Sequence, residues 1–388
     1  MGIGFHISPE EVTGSHAPEG SGGERAGDSE RRRTTLWITA LAIFAFFAAL
    51  FPASKALLWD EAVYLSTAEN LGKATPYYSE IASRPPLLPV LLRIGGSVMR
   101  METFARALEA GFFAAGVVVL YLLGRRLFGQ TSGLTAAALM ALCPFFLHFA
   151  HKVMAEVPAA VLASASMLCF FGLAREEDDE PHGRLAIAAG ILLAAAILMR
   201  FELGVLAIVP IYLGLMNRVG FRPILIALGS AAATLLPYLG WAQFRLGGFW
   251  KPLFAGDVGG GGDAVYYLRT VWMIAGPLVL AGIALYLAPM GRRTGDIAGR
   301  DIPLLAWFGL VFVCLAASQP KEPRFLAPAF PVLFLYAGAG YARCNRKHLA
   351  GFAVVVALIA GGFEVERRAY FSGSLDMGET QLLSYAQR

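Results

Sequence analysis

The sequence predicts an all-α, polytopic membrane protein, and three observations carry that reading. Hydrophobic residues make up 57% of the 388 and charged residues only 15%, far from the balance of a soluble domain. The apolar residues gather in runs that approach the roughly 20 residues a helix needs to span a bilayer. Between the runs lie short basic clusters, and almost every dense one falls on the same, inner side, as the positive-inside rule requires.

Residues 1–33 are rich in Gly, Glu and Ser and have no apolar period, so they are expected to form a disordered cytoplasmic tail. Arg31, Arg32 and Arg33 then precede an apolar run too long for a signal peptide, which stays as the first span, residues 36–57. That span delivers Asp60 and Glu61 to the outer face. Residues 85–99 open on two prolines, are short and carry Arg93, and so read as a helix lying in the outer interface of a first outer loop, residues 58–103. The second span, 104–123, ends inside at Arg125 and Arg126. The third and fourth, 132–147 and 157–173, place residues 148–156 outside. The fifth, 185–199, turns outside at Arg200 to Glu202, and the sixth and seventh, 203–216 and 223–243, lead to a long outer loop, 244–267. The eighth, ninth and tenth spans, 268–289, 302–317 and 325–341, alternate with basic inner loops at Arg292, Arg293 and Arg300 and at Arg343, Arg346 and Lys347. An eleventh, 349–363, leaves residues 364–388 as a short extracytoplasmic tail. The expectation is therefore a transmembrane domain over 34–363 with about eleven helices, within a range of roughly ten to thirteen, in the cell membrane with the N-terminus cytoplasmic.

Several function classes drop out. The net charge of +4 is scattered in small clusters and not gathered on one face, which argues against nucleic acid. Cys143, Cys169, Cys314 and Cys344 form no CxxC pair and no metal-like spacing. Gly259 to Gly262, beside Asp257 and Asp263, lack the following Lys-Ser/Thr of a phosphate-cradling loop.

On this map five polar stations reach the outer face: Asp60 with Glu61, Arg84, the segment from His148 through His151 and Lys152 to Glu156, Arg200 with Glu202, and Lys321 with Arg324. Charges at a membrane face are costly to desolvate, and their convergence marks a working site. Trp59-Asp60-Glu61-Ala62-Val63-Tyr64, followed by Ser83-Arg84-Pro85-Pro86-Leu87-Leu88, resembles the first outer loop of C-type membrane glycosyltransferases. The nearest look-alikes are the aminoarabinose-transferase-like and protein-O-mannosyltransferase-like families. The resemblance continues through Arg125-Arg126-Leu127-Phe128-Gly129 and Arg324-Phe325-Leu326-Ala327-Pro328. This chain departs from those families at His151 to Glu156, where an Arg-x-Asp element is common, and at Arg200-Phe201-Glu202, where Lys-Gly-Pro is common.

The resemblance implies a sugar donor carried on a polyprenyl phosphate, an acceptor that is a lipid, a glycan or a protein, and inversion at the anomeric carbon. Such a lipid holds its phosphate at headgroup level, within reach of interfacial Arg and Lys. An attacking hydroxyl must lose a proton, which a carboxylate within hydrogen-bond reach accepts. Asp60 is the expected base, and Glu61, about a hundred degrees away on a helix, is expected to position the acceptor or assist a metal. Arg84 is the main candidate for the donor phosphate, with Arg200, Lys321 and Arg324 behind it, because a guanidinium fork binds two phosphate oxygens at once. Tyr64, His148, His151, Lys152, Glu156 and Glu202 complete the substrate-binding candidates. No cofactor is assigned beyond a candidate divalent metal, for which His148 and His151 with Glu156 or Asp60 make the set, although their spacing matches no standard zinc site. The rival reading is a membrane transporter, or a lipid-binding or lipid-flipping protein without transferase activity. A transporter predicts internal repeats and helices broken near the membrane midplane.

Overall fold

The computed structural model describes residues 22–50, 59–71, 84–173, 182–248, 265–287, 297–317 and 322–343. The described residues are mostly helical, with no strand among them. The helices are α1 (Gly22–Leu50), α2 (Trp59–Asn70), α3 (Leu87–Gly96), α4 (Met101–Phe128), α5 (Gln130–Leu142), α6 (Pro144–Ala150) and α7 (Glu156–Leu173). They continue with α8 (His182–Met199), α9 (Ile208–Leu215), α10 (Phe221–Leu246), α11 (Tyr266–Leu287), α12 (Ile302–Ala317) and α13 (Phe330–Tyr341). Short 3₁₀ segments, Phe201–Ala207 and Pro323–Ala329, lead into α9 and α13. The chain divides into two compact units, residues 1–37 and 38–388, and every helix from α2 onward belongs to the second.

Within the described residues, the apolar runs of the first ten expected spans fall on these helices, several of which are shorter than a bilayer crossing or bent. Among the described residues, five helices are long and apolar enough to cross a membrane alone, and two bent pairs bring the number to seven. Residues 183–199 and 201–215 form shorter apolar helices. The expected third span is bent by 59° between α5 and α6, where Pro144 follows Cys143. The expected eighth span is broken by 75° within α11, near Gly276 at φ 74° and Pro277. The interfacial reading of residues 85–99 corresponds to α3, which packs on α2 and α4 with Leu88 and Leu92 buried and Arg93 and Ile94 exposed. α1 begins at Gly22, so helix extends into the segment expected to be a disordered tail. The first 21 residues of that tail, the loop at 249–264, residues 174–181 between the fourth and fifth expected spans, Lys321, Cys344 and the eleventh span with the C-terminal tail lie outside the described residues.

Without a hydrophobic drive between helices in lipid, close packing depends on small residues. α4 meets α5 where a Cβ on Gly133 would lie 2.5 Å from the Tyr121 carbonyl oxygen. α11 meets α13 where a Cβ on Gly340 would lie 1.8 Å from the Gly282 carbonyl oxygen. Because that obstacle is backbone, Gly340→Ala must push the two helices apart. The expected cost is about 1–3 kcal/mol, read as a lower midpoint in thermal unfolding in detergent; an unchanged midpoint would show that this helix pair is not closely packed.

The packing also fixes the elements that carry charge. Phe145 on α6 stacks on Phe330 of α13 at 5.4 Å. The buried Trp307 of α12 donates its ring N–H to the Pro328 carbonyl at 3.0 Å, anchoring the 3₁₀ segment that bears Arg324.

Candidate active site

Asp60 lies in the first turn of α2. An Arg84 Nη atom donates to Asp60 Oδ1 at 2.8 Å, and the Arg84 guanidinium lies 5.3 Å from the Tyr64 ring, one helical turn along α2. An Arg324 Nη atom donates to the other carboxylate oxygen, Asp60 Oδ2. Both oxygens of Asp60 are thus held by arginines that stand 240 positions apart in the chain, residues 84 and 324. Arg324 goes further: its Nε lies 2.6 Å from Glu322 Oε2 and 3.6 Å from Glu156 Oε1, and its other Nη donates to Met154 Sδ at 3.1 Å.

Glu156 opens α7, where a carboxylate suits the positive end of the helix. It accepts from Arg200 Nη1 at 2.9 Å, and Arg200 Nε donates to Glu202. Arg200 and Arg324 both lie against the Phe325 ring, at 4.5 and 5.3 Å. The result is one row of alternating charge: Arg84, Asp60, Arg324, Glu156, Arg200, Glu202. Carboxylates keep like-charged arginines apart, and each arginine retains donors for an incoming anion. Glu156 Oε2 is buried and has no hydrogen-bond partner among the described residues.

The electrostatics follow from this row. Burial pushes the Asp60 carboxyl up, but the charges of Arg324 and Arg84 and their hydrogen bonds outweigh it and hold the group below the usual carboxylate range. Burial raises the Tyr64 hydroxyl to about 12. Burial works against the charged forms of Arg200 and Arg324, yet their carboxylate partners leave both more firmly protonated than usual.

Of the sequence candidates, Asp60, Tyr64, Arg84, Glu156, Arg200, Glu202 and Arg324 meet here, and Lys321 lies outside the described residues. Glu61, next to Asp60, faces another way: it is fully buried, accepts the Val153 N–H at 3.0 Å and lies 3.8 Å from Lys152 Nζ. His151 Nδ1 lies 3.0 Å from the Ala49 carbonyl, and His148 sits edge-on to Phe149 at 5.0 Å. No three His, Cys, Asp or Glu side chains among the described residues are grouped to hold a metal ion, so the candidate set of His148, His151, Glu156 and Asp60 does not assemble. Sequence reasoning missed Glu322 and Phe325, which only proximity to Arg324 reveals, and Glu109. The last had a signal, a carboxylate inside a long apolar helix.

Known proteins share this architecture. The chain superposes on ArnT from Cupriavidus metallidurans bound to undecaprenyl phosphate with a TM-score of 0.65 at 19% identity, over 84% of this chain and 63% of that one. The fold is that of the C-type membrane glycosyltransferases. Archaeal oligosaccharyltransferase AglB from Archaeoglobus fulgidus, in complex with an inhibitory peptide and a dolichol-phosphate, matches with a TM-score of 0.54 at 14% identity, over 87% of this chain and 56% of that one. The chain therefore spans about three-fifths of the length of these C-type structures. The sequence model described as dolichyl-phosphate-mannose-protein mannosyltransferase matches residues 83–241, a stretch that holds Arg84, Glu156, Arg200 and Glu202. No curated protein matches the chain. The C-type fold and the apolar helices make this a multi-pass membrane protein.

Proposed function

We propose that the protein is an integral-membrane glycosyltransferase that moves a sugar from a polyprenyl-phosphate donor to an acceptor hydroxyl at the extracytoplasmic face of the cell membrane. The observation that carries this reading is the pair of guanidinium groups, Arg84 and Arg324, on one carboxylate, Asp60. ArnT is described bound to undecaprenyl phosphate and AglB with a dolichol-phosphate, which supports a lipid-linked donor.

In the proposed reaction the acceptor oxygen bonds to the anomeric carbon, the bond from that carbon to the phosphate oxygen breaks, and the acceptor proton passes to Asp60. The polyprenyl phosphate leaves with the electron pair. It needs no protonation, only the fixed positive charge of Arg84, with Arg324 and Arg200 behind it. Arg84 is the more exposed of the two groups on Asp60, with 27% of its side chain accessible against 12% for Arg324. It is the one an entering phosphate meets first. As Arg84 turns to the phosphate, Asp60 loses one of its two stabilising partners and becomes a stronger base at the step that requires it. Glu156 Oε2, with no hydrogen-bond partner among the described residues, is suited to accept a hydroxyl of the sugar or acceptor.

Transfer from radiolabelled polyprenyl-phosphate sugars by the purified protein in liposomes tests the proposal. Labelled acceptor product above a protein-free control is expected. The break in α11 is a feature that favours a transporter. Solute uptake by the same liposomes without product formation would replace the transferase reading.

A further inference from the structure

Beside the charged row, a second pair of carboxylates binds backbone. Glu109, from within α4, and Glu61, from α2, are both fully buried. They accept consecutive backbone amides of the turn that precedes α7: Glu61 Oε1 takes the Val153 N–H at 3.0 Å and Glu109 Oε1 the Met154 N–H at 3.2 Å. The same turn is held two residues before Val153, where Arg106 donates to the His151 carbonyl at 3.1 Å while paired with Glu102 at 3.0 Å. Met154 is in turn the residue whose sulfur accepts from Arg324, and Glu156 lies two positions on.

We infer that Glu109, together with Glu61, is a positioning residue of the transfer site: the two carboxylates clamp the turn by its amides and so fix Glu156 and Arg324 against Asp60. The inference rests on the transferase reading and deepens it by assigning Glu61 a role that does not touch substrate. A buried amide left without an acceptor is costly, so a backbone held by two carboxylates resists displacement. A reacting group misplaced by about 1 Å loses on the order of 10²-fold in rate, which makes such a clamp worth two buried acids.

Glu109 allows a clean test because only one of its oxygens is engaged: Oε2 has no hydrogen-bond partner among the described residues. Glu109→Gln keeps the acceptor for Met154 and removes the titratable carboxyl, whereas Glu109→Ala removes both. Three measurements on the full-length protein in nanodiscs are compared: kcat for sugar transfer, affinity for undecaprenyl phosphate, and the pH dependence of kcat. Glu109→Ala is expected to lose on the order of 10²-fold in kcat, to bind undecaprenyl phosphate more weakly because Arg324 is displaced from the site along with the turn that holds it, and to shift the acid limb of its profile upward as Asp60 loses that partner. Glu109→Gln is expected to restore all three to within about threefold of wild type, the loss of one acceptor being avoided. Glu61→Gln is expected to fall between, since it also removes the partner of Lys152.

If Glu109→Gln is as impaired as Glu109→Ala, the charge or the proton of Glu109 matters and the clamp is overturned. If Glu109→Ala lowers only the melting temperature and leaves kcat, affinity and pH profile of the folded fraction unchanged, the residue is structural and the inference also falls. A wild-type protein that neither transfers sugar nor binds undecaprenyl phosphate overturns the transferase reading itself, a result distinct from either of these.

Discussion

Asp60→Asn is expected to lower kcat for sugar transfer on the order of 10³-fold, within the span that general acid–base groups contribute. Asparagine has the shape of aspartate and retains one oxygen able to accept from an arginine, so the variant changes charge and basicity more than volume. It also predicts an opposite sign in a second measurement. Asp60 competes with any incoming phosphate for Arg84 and Arg324. Removing its charge frees those guanidinium groups, and undecaprenyl phosphate should bind the variant several-fold more tightly, an effect of the size expected for a charge-assisted pair. A variant that had merely unfolded would lose both properties. Equal transfer by wild type and Asp60→Asn would end the assignment of Asp60 as base.

The same carboxylate sets an acid limit. Because Arg324 and Arg84 hold its folded value below the ordinary one near 3.8, Asp60 contributes stability that is fully present above that ordinary value. That contribution is lost as pH falls through the depressed folded value. Chemical denaturation of the wild type followed downward from pH 6 should therefore show a loss of stability concentrated below about pH 4. In Asp60→Asn this acid loss should be smaller, and an identical slope in both proteins would place the titrating group elsewhere.

Much of the site could be read in the sequence because parity along a membrane chain is informative. Once Arg31 to Arg33 and Arg125 with Arg126 are read as two inner loops, parity puts Asp60, Arg84, Glu156, Arg200 and Arg324 on one expected side, and the structure brings these five into a single network. What parity cannot supply is direction within a face. Asp60 and Glu61 are neighbours in sequence, yet a helix turns their side chains about a hundred degrees apart, and the first reaches the arginines while the second reaches the Val153 amide. The same limit hid Glu109, whose partner is a backbone amide 45 positions away. Bends were equally out of reach: Pro144 and Gly276 with Pro277 are visible as breakers, but angles of 59° and 75° depend on how neighbouring helices accept the broken turn.

Arg324 carries the second large effect, because its guanidinium reaches Asp60, Glu322, Glu156 and the sulfur of Met154. A planar fork does this with several donors in fixed directions, whereas a lysine ammonium is a single point charge at the end of a flexible stem. Arg324→Ala should cost on the order of 10²- to 10³-fold in kcat/KM, as removal of one preorganised charge-stabilising donor does in other active sites. Arg324→Lys should recover little of it. Arg84 offers the contrast: among the described residues its ion pair is with Asp60 alone, at 2.8 Å, and an ammonium can keep that pair while still lying beside the Tyr64 ring. Arg84→Lys should therefore keep activity within about tenfold of wild type while Arg84→Ala does not. The two Lys variants measured side by side separate a residue that organises the site from one that supplies positive charge to it. If Arg324→Lys is as active as Arg84→Lys, the fork geometry of Arg324 plays no part in transfer, and the alternating row stabilises the fold without shaping the reaction.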